Sequence, residues 1–174
     1  MKRIMAAGIA ATAICLSMNA NASSMTYVDY SIGTVDYDSS SSSGDYSAFT
    51  ASIETPILPL ISIESIDLND SNILKLGIGA SIGIGSASNI YGLVHYNDYE
   101  GNTDSDISFR VGINSTISDR LEVRLSHTMY SDQDGLDNTK LSLGYYLTQN
   151  FSVSGNYAVA DTYNIMSATA RLSF

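Results

Sequence analysis

Nine ionisable residues set among apolar neighbours carry the chemical potential of this chain: Asp29, Glu54, Glu64 and Glu122 against Lys75, Arg110, Arg124, Lys140 and Arg171. Four acids and five bases nearly balance. That is the composition of an ion-pair and hydrogen-bond network, not of a single-sign selectivity ring, because an unpaired buried charge is costly. Catalytic chemistry needs a base as well. Only His95 and His127 offer an imidazole, and His127 stands four residues before Ser131 with Glu122 nearby, the residue types of a Ser/His/acid nucleophile. His127 is expected instead at the outer rim of a strand, and no catalytic residue is assigned. Asp132, Asp134 and Asp137, around Gly135, space oxygen ligands as a calcium loop would. The full loop needs a further carboxylate and a differently placed glycine, so these three are the candidates for a metal and a solvated acidic loop is the expectation. No cofactor is expected.

Whether those charges can meet depends on the elements that carry them. The last ten residues, Ile165 to Phe174, alternate apolar and polar, with Met166, Ala168, Ala170, Leu172 and Phe174 forming one row. A strand with lipid on one face and a polar interior on the other has this two-residue period. The same rhythm places Val28, Tyr30 and Ile32, then Phe49, Ala51 and Ile53, then Leu74 through Ile84, on the lipid side. It continues through Ile107 to Ile113, Leu121 to Leu125, Leu141 to Leu147 and Phe151 to Val159. Residues 60–68 alternate only in part, and 90–97 can place either Ile90, Val94 and Tyr96 or Tyr91, Leu93 and His95 outward. The intervening residues, including all nine charges, then face inward. A base on the lipid face near the midplane costs about 2–4 kcal/mol, which enforces that parity.

Lys2 and Arg3 precede an apolar stretch, and Ala20-Asn21-Ala22 fits a small-x-small cleavage rule, so residues 1–22 read as a removed signal peptide and 23–174 as one domain. Cys15, the single cysteine, leaves with the leader, as do two of the 8 Lys/Arg, so 6 bases face 18 acids over 152 residues, a formal charge of −12. Such acidity argues against nucleic acid as a partner.

Ten strands account for the pattern, with eight as the alternative. Five longer polar connections alternate with four shorter ones: 37–45, 69–72, 98–105, 131–138 and 160–164 against 55–59, 85–89, 116–119 and 148–150. The longer set carries Asp38, Asp45, Asp70, Asp98, Glu100, Asp104, Asp132, Asp134, Asp137 and Asp161 without a single base, whereas the shorter set carries only Asp119 as an acid. Tyr37, Tyr46, Tyr96, Tyr99, Tyr130 and Tyr163 flank the acidic connections, with Phe151 and Phe174 at the opposite ends, as interfacial girdles would. Interior small residues such as Gly77, Gly79, Ser81 and Gly83 either leave a water-filled passage or make room for arginine arms.

The C-terminal row resembles the end of bacterial outer-membrane barrels, and Ile90 to Tyr96 and Leu141 to Leu147 resemble the Tyr-Gly-rich and Gly-x-x-Tyr strands of small barrels of the outer-membrane protein X, Ail and opacity type. The resemblance implies an all-β, antiparallel up-and-down transmembrane barrel in the outer membrane, monomeric, in contact with lipid and lipopolysaccharide and delivered to the barrel-assembly machinery by its last strand. It departs from that family in strand count and in its acidic loops, which cannot hold polyanions as basic adhesive loops do. The run His127-Thr-Met-Tyr-Ser131 also lacks the His-x-Ser-Asn of lipid A deacylases. The expected role is structural or surface interaction, with a narrow passive channel second, a lipid-modifying enzyme third, and a soluble periplasmic sandwich as the non-membrane alternative. Divalent cations bridging loop acids to lipopolysaccharide phosphates are a further expectation.

Overall fold

The computed structural model describes residues 25–38, 43–54, 60–68, 71–100 and 105–174. The signal-peptide reading of residues 1–22 lies outside them, as do Asp70, Asp104 and most of the serine run. Ten strands follow one another: β1 (Tyr27–Tyr37), β2 (Ser43–Ile53), β3 (Leu60–Leu68), β4 (Ser71–Ile84), β5 (Ser88–Tyr99), β6 (Asp106–Ser118), β7 (Leu121–Tyr130), β8 (Asn138–Tyr146), β9 (Phe151–Ala160) and β10 (Tyr163–Ser173). Each pairs antiparallel with its sequence neighbour, and β1 pairs with β10, so the sheet closes into a ten-stranded barrel without a free edge. The eight-strand alternative is set aside.

The period-2 pattern sorts the side chains as expected from the chain. Leu76, Ile78, Val111 and Leu143 stand half exposed on the outer wall, while Lys75, Glu122 and Arg171 are buried inside. An outward apolar belt of this extent far exceeds what a water-soluble surface tolerates and matches a hydrocarbon solvent. The ambiguous stretch resolves with Ile90, Val94 and Tyr96 outward and Leu93 and His95 inward. Ala51 keeps its outward register but is buried, its small side chain shielded between Val28 and Ile63 of the flanking strands.

Two expectations need correction. The connections are not sorted by length: β3 and β4 are joined by residues 69–70 and β9 and β10 by 161–162, because the strands run further into the polar segments than alternation of apolar residues suggested. Several tyrosines expected in a girdle also point the other way. Tyr46, Tyr130 and Tyr163 are buried in the lumen, sharing parity with Thr50, Thr128 and Ser167, whereas Tyr30, Tyr96, Tyr145 and Tyr157 face outward.

Inward glycines are filled by neighbours. The ring of Tyr91 covers Gly112, its cross-strand partner, where a Cβ would meet the ring at 2.5 Å. At Gly79 a Cβ would come within 1.8 Å of the Gly92 carbonyl oxygen, an approach no flexible side chain can relieve. Gly85, at φ 66°, turns β4 into β5. Gly79→Ala is therefore expected to lower the unfolding free energy by about 1–3 kcal/mol, whereas Gly92→Ala, with open space at its Cβ, changes it far less; urea unfolding in detergent micelles distinguishes them.

Candidate functional site in the barrel lumen

Two charge clusters occupy the lumen, each tying together strands on opposite sides of the barrel as well as neighbouring ones. Nearer the end where β1 begins, Arg171 of β10 forks onto Asp29 of β1, Nε to Oδ1 and Nη2 to Oδ2 both at 2.7 Å. Its guanidinium also stacks 3.6 Å from the ring centre of Tyr27. Arg124 of β7 reaches inward to the same group: its Nε lies 2.8 Å from Glu122 Oε1 and its Nη1 3.9 Å from Asp29 Oδ2. Tyr146 donates to the other Glu122 oxygen at 2.7 Å. Because β7 and β1 are four steps apart around the barrel, Arg124 crosses the lumen to bind them together.

The second cluster lies nearer the other end. Arg110 of β6 spans to Glu64 of β3 at 2.9 Å and donates through Nε to Thr128 at 3.1 Å. Lys75, opposite Glu64 in register, donates to the Tyr130 hydroxyl and sits 4.6 Å from that ring's centre. His95 is fully buried, with Nε2 3.3 Å from Ser62 Oγ. Charged hydrogen bonds of this kind gain from the low dielectric and from mutual polarisation, provided that each member is paired.

Apolar groups pack inside the barrel on both sides of these clusters. Met25, which precedes β1, turns into the barrel against Leu60, Leu93 and Tyr91, and its sulfur accepts from Asn114 Nδ2 at 3.0 Å. Toward the other end, Tyr46, Ala48, Ile66 and Ile73 pack together, and Val35, Ala160 and Tyr163 form a further cluster with Leu136 from the short 3-10 turn Asp134–Leu136. Between them lies a cavity of about 120 Å3.

The remaining sequence-derived candidates fall elsewhere. Glu54 lies at the mouth beyond β2, accepting from Ser81 and bonding Thr26 through its backbone, apart from both clusters. Lys140 lines the cavity. His127 faces outward, with Nδ1 2.9 Å from Thr139 Oγ1, while Glu122 is in the lumen and Ser131 is hydrogen-bonded to Asp106. The three residues of the nucleophile idea are therefore separated by the barrel wall. Asp137 accepts from the Tyr130 backbone amide at 2.7 Å and Asp132 from Ser131 at 3.4 Å; the side chain of Asp134 lies outside the described residues. Among the described residues no three His, Cys, Asp or Glu side chains converge as metal ligands would. Met166, Ala168, Ala170 and Leu172 form the outward row of β10, and the Phe174 amide donates to the Thr26 carbonyl at 3.0 Å.

Tyr27, Tyr146 and Met25 were not singled out in the chain and Tyr130 was read as a girdle residue, yet the three tyrosines hold the charges and Met25 packs inside the barrel. Their parity was a usable signal: Tyr130 is an even number of residues from Arg124, Tyr146 from Lys140, and Tyr27 from Asp29.

No family profile and no curated protein matches the chain. Among solved structures, the KdgM porin is similar over 86% of this chain and 99% of that one, at 12% identity and a TM-score of 0.58. The NanC porin is similar over 84% and 100%, at 11% identity and a TM-score of 0.59. At such identity the likeness is one of fold, the closed membrane barrel expected from the sequence. Ail of Yersinia pestis aligns over 84% and 93% at a TM-score of 0.32, too low to carry an argument.

Arg171→Ala leaves Asp29 without its fork and is expected to cost about 3–5 kcal/mol, whereas Asp29→Leu combined with Arg171→Met is expected to recover most of that loss. A double-mutant cycle by urea unfolding in micelles measures the coupling; additive effects would mean that the pair is not a unit.

Proposed function

We propose that this chain is a monomeric outer-membrane barrel of a Gram-negative envelope, with a structural or surface-interaction role and a lumen held shut by its own side chains. The observation that carries this reading is the crossing of the lumen by Arg110 and Arg124 into ion pairs, with apolar clusters at either side of a cavity of about 120 Å3. Such a volume accommodates a small group of waters. A hydrated sugar or peptide does not fit it.

In this reading the apolar belt meets acyl chains, and the acidic connections lie among lipopolysaccharide phosphates, where divalent cations offset the like charges. The row from Met166 to Phe174 presents the last strand to the assembly machinery before β10 joins β1. This reading assigns the barrel no catalytic role. His127 is turned to the outer wall, His95 is buried beside Ser62, and Glu122 is engaged by Arg124 and Tyr146, so neither imidazole stands beside an accessible nucleophile with an acid behind it.

A narrow passage is the second reading, favoured by the polar cavity wall and by the porin fold of the similar structures. Planar-bilayer recording separates the two. The unmodified barrel is expected to give no conductance steps, and Arg110→Ala with Arg124→Ala is expected to give small ones by removing the crossing arms. Stepwise conductance from the unmodified protein would overturn the closed reading. Recovery in the outer-membrane fraction with heat-modifiable gel mobility is the accompanying check on compartment and barrel closure.

A further inference from the structure

The charges around the cavity do not cancel. Its wall holds Lys75, Arg110, Arg124, Lys140 and Arg171 against Asp29 and Glu64. Adding Glu122, which pairs with Arg124, and Asp106, buried on the inward face of β6, still leaves five cations facing four carboxylates. Four of the cations are accounted for: the arginines by ion pairs, and Lys75 by the hydroxyl and ring of Tyr130. Lys140 is not. Among the described residues it has no hydrogen bond and no ion pair, although it lies on the cavity wall.

Lys140 stands in register with Ser126 on one side and Ala158 on the other. Two residues along β8, Ser142 pairs with Arg124 and Asn156. Ser126, Ser142 and Asn156 line the same cavity as Lys140, so hydroxyl and amide groups share its wall with the carboxylates of Asp29 and Glu64, each already held by an arginine. An ammonium on the wall of a narrow lumen without an ion-pair partner of its own is costly. Neutral donors close to it cannot offset its charge, but they complete the coordination of an anion drawn to it.

We propose that the lumen holds one small anion, of halide or formate size, bound by Lys140 with the Ser126 and Ser142 hydroxyls and the field of Arg124. The cavity volume sets the size class, since about 120 Å3 takes one such ion with a few waters and excludes a polyanionic chain. The ion restores charge balance in the lumen and strengthens the closed barrel by binding only the folded form. The inference goes beyond the closed-lumen reading and is independent of whether the barrel conducts.

Bromide is the probe. Crystals of the full barrel grown in sodium bromide are expected to show an anomalous peak in the lumen beside Lys140 Nζ. In detergent, exchange of chloride for gluconate at constant ionic strength is expected to lower the midpoint of the heat-induced mobility shift by about 2–4 °C. Lys140→Met is expected to abolish that difference and Lys140→Arg to retain it. Bromide found only on the outer surface, or the same chloride dependence in Lys140→Met, would overturn the proposal. Should Lys140→Met fail to assemble, the bromide map of the unmodified protein decides. A conducting barrel with lumenal bromide would refute closure and leave the anion site; a silent barrel without bromide would do the reverse.

Discussion

A charged side chain cannot face hydrocarbon cheaply, and every other feature of this barrel follows from where that constraint sends its arginines and lysines. The outer wall takes the apolar half of each strand, so the ionic half is confined to a tube too narrow for each charge to keep its own hydration shell. Partnership becomes compulsory. Asp29, Glu64 and Glu122 are each held by at least one arginine, and tyrosine hydroxyls complete the network, Tyr146 donating to Glu122 and Tyr130 accepting from Lys75.

Closure and charge pairing are the same event at the seam. The first and last strands meet with Asp29 directly opposite Arg171, and two residues further Ser31 and Thr169 share a 2.6 Å hydrogen bond. A barrel whose ends failed to meet would leave both a ladder of unpaired backbone groups and two exposed opposite charges in lipid, each costly by itself. The seam thus has an electrostatic register mark: a slip by one residue would put Arg171 on the acyl-chain side.

The interior inverts the usual arrangement of a soluble domain. Its middle is polar and its ends are apolar, with Met25, Leu60 and Leu93 on one side and Tyr46, Ile66, Ile73, Val35 and Tyr163 on the other. Apolar packing beside the ion pairs lowers the local dielectric, which strengthens each pair and raises the cost of any group left alone.

Parity was legible in the amino-acid sequence, and much came with it: ten strands, the apolar outer wall, and the inward side for Lys75, Arg110, Arg124 and Arg171, because a two-residue period and the cost of charge in lipid leave one solution. The stretch 90–97 stayed open because Tyr91 and Tyr96 are amphipathic enough for either face; the packing of Tyr91 on Gly112 and of His95 beside Ser62 resolved it. The tyrosines near the acidic connections read as girdle residues for the same reason, until the strands proved to extend far enough to turn Tyr46, Tyr130 and Tyr163 inward. Partners were decided by tertiary structure alone. Arg110 meets Glu64 three strands away and Arg124 meets Asp29 four strands away, across a lumen whose width and register exist only once β1 has closed on β10.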